Sequence, residues 1–365
     1  MNIRHAAAIA VPAVTVSLAA FTGCTAGNPA TTPSANPTTS PSDTPSFPPG
    51  TKFVTTLAGS DATGSVNGSG SAATFNTPNG MTIDSSGNLY VTDSNAIRKI
   101  TPSGVVATVV TPAQIPGIPA VTQQNFLTGV AVDASGSLYV VDANAGNNGV
   151  YRISSTGTVT TLATSSILNP IQMGSLFGLA VDGVGNAYTG DFNYNSIYKI
   201  SATGSVSILA GAHNINQPGF ADGATSSANF NSPNGLALDA SNNLYVADLR
   251  NYKIRKVTPA GGVSTVAGST SGSLPVDGTG TAAVFANPTA IAMDSSGNAY
   301  VADSGYVRKV TPAGVVTTVA GAAGATYTEG GAATQIGFGG LSGIAVTPDG
   351  SKIYVIDGTR IKVIQ

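Results

Sequence analysis

Pairs of aspartates that lie nine residues apart recur along this sequence, and paired carboxylates are what acid–base catalysis or a metal site would use. The pairs are Asp84 with Asp93, Asp133 with Asp142, Asp182 with Asp191, Asp239 with Asp248, and Asp294 with Asp303. The first aspartate opens a short turn, and the second follows a short apolar run. An Asp side chain in such a place accepts hydrogen bonds from turn amides. Because a pair occurs in five of the six repeats, and Thr347 replaces the first aspartate in the sixth as a turn residue could, we predict a structural role.

Other residues that could do acid–base or metal chemistry are scarce. The chain has one cysteine, Cys24, and two histidines, His5 and His213, while its one glutamate is Glu329. This inventory excludes a cysteine-based triad and a zinc site that needs several histidines in the folded part. His213 and Glu329 lie in separate long loops. We therefore assign no catalytic residue, no metal ligand and no cofactor, and a structural calcium ion held by Asp and carbonyl oxygens stays open.

The aspartate pairs belong to a repeat of about fifty residues. Its core is a short run that ends in the second aspartate, as in 88–93, 137–142, 186–191, 243–248, 298–303 and 352–357. Each unit reads as four short strands separated by turns, which predicts an antiparallel meander. One such sheet cannot bury both faces, so neighbouring sheets must stack, and a closed ring of blades leaves few open edges. A tyrosine in every copy is expected to pack between blades.

The two ends of the chain predict how the ring closes. The sixth unit stops after its third strand, at 361–364. An unpartnered strand, 53–59, precedes the first unit and is similar to the fourth strand at 315–321. We therefore predict an all-β, six-bladed β-propeller over residues 52–365, closed by an N-terminal strand that completes the last blade.

The repeat resembles NHL repeats, a family of six-bladed β-propellers. The resemblance rests on 277–285, Pro288, 294–303, 307–314 and 316–321. Related propellers include amidating lyases, gluconolactonase-like hydrolases and streptogramin lyases. Their sites use histidine bases, histidine-bound metal, or a glutamate with Asn and Asp around calcium, and this chain offers no matching set. We expect a non-enzymatic protein, with a metal-dependent or metal-free lyase or lactonase-like hydrolase outside the cytoplasm as the alternative.

The first fifty residues differ in composition from the repeats. Residues 1–24 have the pattern of a signal peptide whose end, Phe21-Thr22-Gly23-Cys24, resembles a bacterial lipobox, so Cys24 is the predicted lipidation site. Cleavage of an ordinary signal peptide near Ala26 is the alternative. Residues 25–51 are rich in Ser, Thr and Pro and are predicted to be a disordered linker. We expect an exported protein of the cell envelope, periplasmic or at the cell surface, that touches the membrane only through its lipid anchor.

Charge and loops narrow the class of partner. The formal net charge is −2, and the basic residues of the third strands are spread around the ring, so nucleic acid is not expected. Variable loops after the second and fourth strands of each blade should share one face, the loop face, where a monomer would bind a protein or glycan of the envelope. The predicted binding residues there are Phe192, Tyr194, Arg250, Tyr252, Tyr306 and Asn147. A second candidate site is the channel mouth on the same face, formed by Asn79, Thr128, Phe177, Asn234, Thr289 and Ser342.

Overall fold

The computed structural model describes residues 48–94, 96–116, 127–143, 148–164, 173–214 and 217–365. The predicted signal peptide, most of the predicted linker, Cys24 and Asn147 lie outside these residues. The described residues form six antiparallel sheets, and their only helical segments are short 3₁₀ turns. We number these sheets as blades I to VI in chain order.

Each blade contains four main strands in sequence order. The first strands are Pro78–Ile83, Leu127–Val132, Leu176–Val181, Pro233–Leu238, Pro288–Met293 and Leu341–Val346. The second strands are Leu89–Asp93, Leu138–Asp142, Ala187–Asp191, Leu244–Asp248, Ala299–Asp303 and Ile353–Asp357. The third strands are Ala96–Ile100, Gly149–Ile153, Ser196–Ile200, Lys253–Val257, Tyr306–Val310 and Arg360–Ile364. The fourth strands are Val105–Val110, Val159–Thr164, Val206–Ala210, Gly262–Ala267, Val315–Ala320 and, for blade VI, Phe53–Gly59.

Four blades carry a short fifth strand at the outer edge. These strands are Gly68–Ser69, Gly223–Ala224, Gly278–Thr279 and Gly331–Ala332. A 3₁₀ turn follows each of them, at Gly70–Ala72, Thr225–Ser227, Gly280–Ala282 and Ala333–Gln335. Two further 3₁₀ turns are Pro112–Gln114 and Leu249–Asn251. The equivalent segments of blades II and III lie at least partly in 117–126 and 165–172, outside the described residues.

The ring closes as the sequence predicts. Val54 pairs with Ile364 and Gly59 with Arg360, so the N-terminal strand is the fourth strand of blade VI. The first strands of neighbouring blades contact one another around the whole centre, including blade VI against blade I. The six-bladed, all-β propeller is therefore confirmed, and its closure is non-covalent.

The hydrophobic core is divided into six clusters that lie between neighbouring blades. In one of them Tyr90 of blade I is buried with Val130 and Leu138 of blade II. In another, Tyr300 of blade V packs with Ile344 of blade VI. The repeated tyrosines thus pack between blades, and both faces of a blade are buried, since Leu89 and Val91 lie in the cluster on the other side of the strand from Tyr90.

Close approach of the first strands explains a ring of small residues at the centre. A Cβ atom on Gly80 would lie 2.3 Å from the carbonyl oxygen of Thr128 in the next blade. A Cβ on Gly178 would lie 2.1 Å from the Asn234 carbonyl oxygen, and Gly178 also has a φ of +60°. In every blade the ladder between first and second strands shifts register at this level. Larger side chains here would push the blades apart.

The antiparallel registers define the loop face. In blade I, Pro78 pairs with Asp93, which pairs with Ala96, and Ile97 pairs with Val110. The end of the second strand, the end of the fourth strand and the start of the first strand therefore lie at one end of the sheet. The same order holds in the other blades, so these ends form one face of the ring.

Candidate functional site

The first aspartate of each pair is saturated by its own turn. In blade I the Asp84 carboxylate accepts the main-chain N–H of Ser86 (2.9 Å) and of Asn88 (2.8 Å), the Asn88 side-chain amide (2.9 Å) and the Tyr90 hydroxyl (3.2 Å). Burial alone would raise the pKa of Asp84, but these hydrogen bonds outweigh it and hold the pKa below its ordinary value. Such a carboxylate stays ionised, and its oxygens already accept four hydrogen bonds, so it would be a poor catalytic acid or base.

The second aspartate of blade I holds a buried cation. The Asp93 carboxylate accepts the main-chain N–H of Asn76 (2.8 Å) and of Thr77 (3.0 Å), and an Arg98 Nη1 lies 2.9 Å away. Both charged side chains are fully buried. The Arg98 guanidinium also lies over the Phe75 ring, at 5.2 Å from the centroid. This unit fastens the segment before the first strand to the middle of the blade.

The same unit recurs in blades IV and V. Arg255 pairs with Asp248 at 2.8 Å, and Arg308 pairs with Asp303 at 3.3 Å. Their guanidinium groups lie over Phe230 and Phe285. These third-strand arginines are internal parts of the blades, so they cannot bind phosphate groups of a polynucleotide.

Blade VI carries a variant of this unit in which lysine replaces arginine. The Lys362 Nζ bonds the Asp357 carboxylate and lies 3.3 Å from the Tyr327 ring centroid. The Phe338 ring centroid lies 5.3 Å from the same Nζ. A cavity of about 420 Å³ opens beside these residues on the loop face.

Blade III departs further, because Tyr198 stands at the arginine position. Asp191 is fully buried and accepts the Tyr198 hydroxyl (2.9 Å) and the main-chain N–H groups of Gly174, Asn193 and Tyr194. The Tyr198 oxygen lies 3.2 Å from Nδ1 of His213. Since the Tyr198 proton is donated to Asp191, the oxygen must accept from His213, which places the imidazole proton on Nδ1.

The protonation behaviour of this chain of three groups follows from burial. Burial raises the pKa of Asp191, although four hydrogen bonds lower it. Burial and the Asp191 charge both raise the pKa of Tyr198 far above neutrality. Burial lowers the pKa of His213, and Asp191 only partly offsets that effect. At neutral pH, His213 is therefore a neutral ring with Nε2 unprotonated, and Tyr198 is not an acid.

Glu329 lies in another blade and has a structural role. Its carboxylate accepts the Thr56 N–H (2.8 Å), the Thr56 hydroxyl (2.9 Å) and the Tyr327 hydroxyl (2.5 Å). It thereby fixes the N-terminal strand to blade VI, as Asp222 does for the fourth strand of blade IV. His213 and Glu329 are not brought together. Within the described residues no cluster of three or more His, Cys, Asp or Glu side chains could hold a metal ion.

The six predicted channel-mouth residues all line one cavity on the axis of the ring. The cavity has a volume of about 60 Å³, which is enough for a few water molecules. Three of the polar side chains are used in bonds between blades: Thr128 donates to the Leu176 carbonyl (2.9 Å), Thr289 to that of Leu341 (3.0 Å), and Ser342 to that of Pro78 (3.2 Å). The polar side chains of the channel mouth therefore serve mainly to join the first strands of neighbouring blades.

A second axial cavity of about 210 Å³ lies below the mouth. It shares with the upper cavity a level of apolar residues: Met81, Val130, Leu179, Leu236, Ile291 and Ile344. The side chains at this junction are apolar, so any polar contact at this level would come from main-chain groups.

Three of the predicted loop-face residues meet in one pocket between blades III and IV. Phe192, Tyr194 and Arg250 line a cavity of about 470 Å³, which we call the III–IV pocket. The Arg250 guanidinium lies over the Phe192 ring at 5.1 Å. Phe192 also contacts Phe177 of the channel mouth, with ring centroids 5.3 Å apart. His213 stacks on Tyr194 with centroids 4.8 Å apart. The two candidate sites are thus adjacent and are linked by the contact between Phe177 and Phe192.

The other predicted loop-face residues lie elsewhere. Tyr252 packs on the main chain at Gly272, where an added Cβ would be 2.2 Å from its ring. Tyr306 begins the third strand of blade V and packs on Gly321. Neither lines the III–IV pocket. Asn147 is outside the described residues, so its predicted role stays a prediction.

Several residues of the pocket were missed from the sequence. Asn193, Asn195, Pro218, Asn231 and Ser232 complete its lining. Asn193 and Asn195 could have been found from loop length. The segment between the second aspartate and the third strand is longer in blades III and IV than in blade V. The others come from the connection between the blades, whose contact with these loops depends on the ring.

Comparison with known proteins agrees with the geometry. The NHL repeat family model matches residues 230–257, which run from Phe230 through the third strand of blade IV. The chain is a six-bladed β-propeller that contains an NHL repeat. A search of curated proteins finds no significant match. No helix among the described residues of this propeller is long and apolar enough to cross a membrane.

Solved structures of the same fold include both binding proteins and enzymes. A Bacteroides thetaiotaomicron protein of unknown function has a TM-score of 0.67 at 21% identity, covering 86% of this chain and 75% of its own. An auxiliary nutrient binding protein from Bacteroides ovatus has a TM-score of 0.65 at 19% identity, covering 86% and 76%. Virginiamycin B lyase from Staphylococcus aureus has a TM-score of 0.51 at 15% identity, covering 86% and 98%. Such identities show a shared fold alone.

Proposed function

We propose that this propeller is an exported, lipid-anchored binding protein whose loop face captures a protein or glycan of the cell envelope. One observation carries the proposal: Phe192, Tyr194 and Arg250, from two blades, line a single cavity beside Phe177. Aromatic and arginine side chains at the rim of a rigid scaffold are typical anchors of a binding site.

The remaining ionisable residues support binding over catalysis. The repeated aspartates hold turns or buried cations, and Glu329 fixes a strand. A nutrient binding protein with the same fold supports the same class of function. The predicted lipid anchor at Cys24 and the linker 25–51 would hold the propeller at a membrane of the envelope with its loops accessible.

The test is capture of envelope components by the full-length protein. The triple variant F192A/Y194A/R250Q should lose cross-linked partners while its thermal midpoint stays within a few degrees of wild type. Tyr306→Ala is the matched control, because it removes a loop-face tyrosine outside the III–IV pocket and should retain capture. Undiminished capture by the triple variant would show that the pocket is not the binding site.

An extracytoplasmic lyase or lactonase-like hydrolase is the second candidate. The observation in its favour is the Asp191–Tyr198–His213 chain, which orients one neutral imidazole near the loop face. If the protein turns over a lactone or a streptogramin-type ester, His213→Gln should abolish that activity. Full activity in this variant would eliminate His213 as the base.

A further inference from the structure

Arg250 differs from the other arginines in the described part of the chain, because it has no carboxylate partner there. The paired arginines are Arg98, Arg152, Arg255, Arg308 and Arg360. The Arg250 side chain is exposed, and its main-chain N–H bonds the Asn231 carbonyl (3.1 Å). Its guanidinium rests on the Phe192 ring. A guanidinium held against an aromatic face keeps its planar N–H edge for a planar anion.

Among the described residues, those that line the III–IV pocket include no carboxylate side chain. They consist of Phe192, Asn193, Tyr194, Asn195, Pro218, Asn231, Ser232 and Arg250. The neighbouring carboxylates are already used: Asp191 is fully buried and bonded to main-chain amides and Tyr198, and Asp248 is fully buried and bonded to the Asn231 N–H and to Arg255. The fixed charge facing a ligand is therefore a single cation, which favours an anionic group at the Arg250 end.

The other groups in the pocket suit a sugar ring. His213 covers one face of the Tyr194 ring, and the Tyr194 side chain also lines the cavity. An aromatic ring fixed in this way offers a flat apolar surface to the C–H face of a pyranose. No hydrogen bond within the described residues uses the Asn231 side-chain amide, which can both donate to and accept from hydroxyls. The cavity of about 470 Å³ lies in the range of small-ligand sites.

We propose that the III–IV pocket binds a uronic acid residue of an acidic glycan. The carboxylate meets the Arg250 guanidinium, the sugar ring packs on Tyr194, and hydroxyl groups bond the Asn231 amide. This inference rests on the proposed binding function and names its ligand class. An acidic peptide could also satisfy Arg250, so the test includes one as a competing ligand.

Calorimetric titration of the full-length protein tests the proposal. The probes are tetragalacturonate, tetramannuronate and the methyl ester of tetragalacturonate, which keeps the sugar ring but removes the charge. We expect at least one uronate to bind, and its methyl ester to bind at least about tenfold more weakly, because a charge-assisted bidentate bond is lost. Arg250→Gln should weaken uronate binding by a similar factor and leave ester binding unchanged.

Two variants provide controls. Arg360→Gln removes a loop-face arginine that already pairs with Asp61 at 2.6 Å, so it should leave uronate affinity unchanged. Tyr194→Leu should weaken the acid and the ester equally, because the platform contacts the ring and not the charge.

The outcomes separate this inference from the proposed function. Equal binding of acid and ester would overturn the role of the carboxylate. Hexaglutamate binding as tightly as either uronate would overturn the choice of a sugar. If no uronate binds while Phe192, Tyr194 and Arg250 are still needed for capture of an envelope partner, the ligand class is wrong and the binding function stands. If neither occurs, both are wrong.

Discussion

Replacing Arg255 by methionine tests whether the buried ion pair holds blade IV together. Arg255 is fully buried, with Nη1 2.8 Å from Asp248 and Nη2 2.7 Å from Asp222. It also donates to the carbonyl oxygens of Asn229 and Ala221, at 3.0 Å each. Methionine keeps most of the apolar stem but removes the charge and every N–H donor.

The structure sets the size of the effect. Removing one partner of a buried ion pair costs about 3–5 kcal/mol, because the remaining charge is left uncompensated in the interior. The carbonyl oxygens of Asn229 and Ala221 would also lose their hydrogen-bond donor, which lowers stability further. Lys256→Met is the control: its Nζ lies 3.9 Å from Asp239 near the surface, and such a pair contributes about 1 kcal/mol or less.

The cost should also depend on pH. Burial raises the pKa of Asp248, and Arg255 offsets part of that rise. Without Arg255 the folded-state pKa rises further above the unfolded value. A carboxyl of this kind binds more protons when folded, so stability falls as pH rises from the unfolded pKa through the folded pKa. The penalty of Arg255→Met is therefore larger at pH 8 than at pH 5.

Urea unfolding followed by far-ultraviolet circular dichroism gives the required free energies at both pH values. The reasoning is refuted if Arg255→Met costs no more than Lys256→Met. It is also refuted if the penalty is the same at pH 5 and pH 8, since an uncompensated Asp248 must respond to protonation.

Three further predictions concern the ring and its one described histidine. Burial lowers the pKa of His213, so wild type should lose stability as pH falls below about 6.5, where the unfolded histidine gains its proton, and His213→Gln should flatten this loss in urea titrations. Gly178→Ala should cost more than about 2 kcal/mol because its Cβ meets a main-chain oxygen at φ +60°, whereas Gly183→Ala, with open space around it, should be near neutral in the same assay. Deletion of residues 1–59, which removes Phe53–Gly59, should abolish cooperative thermal unfolding, while deletion of 1–47 should preserve it.

The fold could be predicted because its information is local and repeated. The alternation of apolar and polar residues and the turn residues between strands predict four strands per unit. The unpartnered strand at 53–59 predicts how the ring closes. Which basic side chains of the third strands are buried could not be predicted in the same way. Arg98 and Lys99 are adjacent in sequence, but Arg98 is buried on Asp93 and Lys99 lies over Tyr90. The difference arises from the two sides of one strand, and only the paired register shows which side faces the aspartate.

The candidate site was predictable in part for a related reason. Phe192, Tyr194 and Arg250 were found because they lie in loops that vary on a regular scaffold. Their assembly into one pocket depends on blades III and IV being neighbours, and on the connection that brings Asn231 to Arg250. Tyr252 met the same sequence criteria but covers Gly272 instead. Residue type and loop position therefore select candidates, while packing decides which of them line a cavity.

A sixfold ring makes departures from the repeat more informative than the repeat. Equivalent residues in every blade stabilise the ring and cannot distinguish one side of its face from another. Blade III breaks the pattern at Tyr198, which leaves Asp191 without a cation and brings His213 under Tyr194. Blade IV adds Arg250 in a lengthened loop beside it. These departures lie in adjacent blades and converge on one pocket. Blades II and VI also depart at the arginine position, with Tyr151 and Lys362, but neither residue lines the III–IV pocket. The character of this part of the loop face therefore depends on the changes in blades III and IV together.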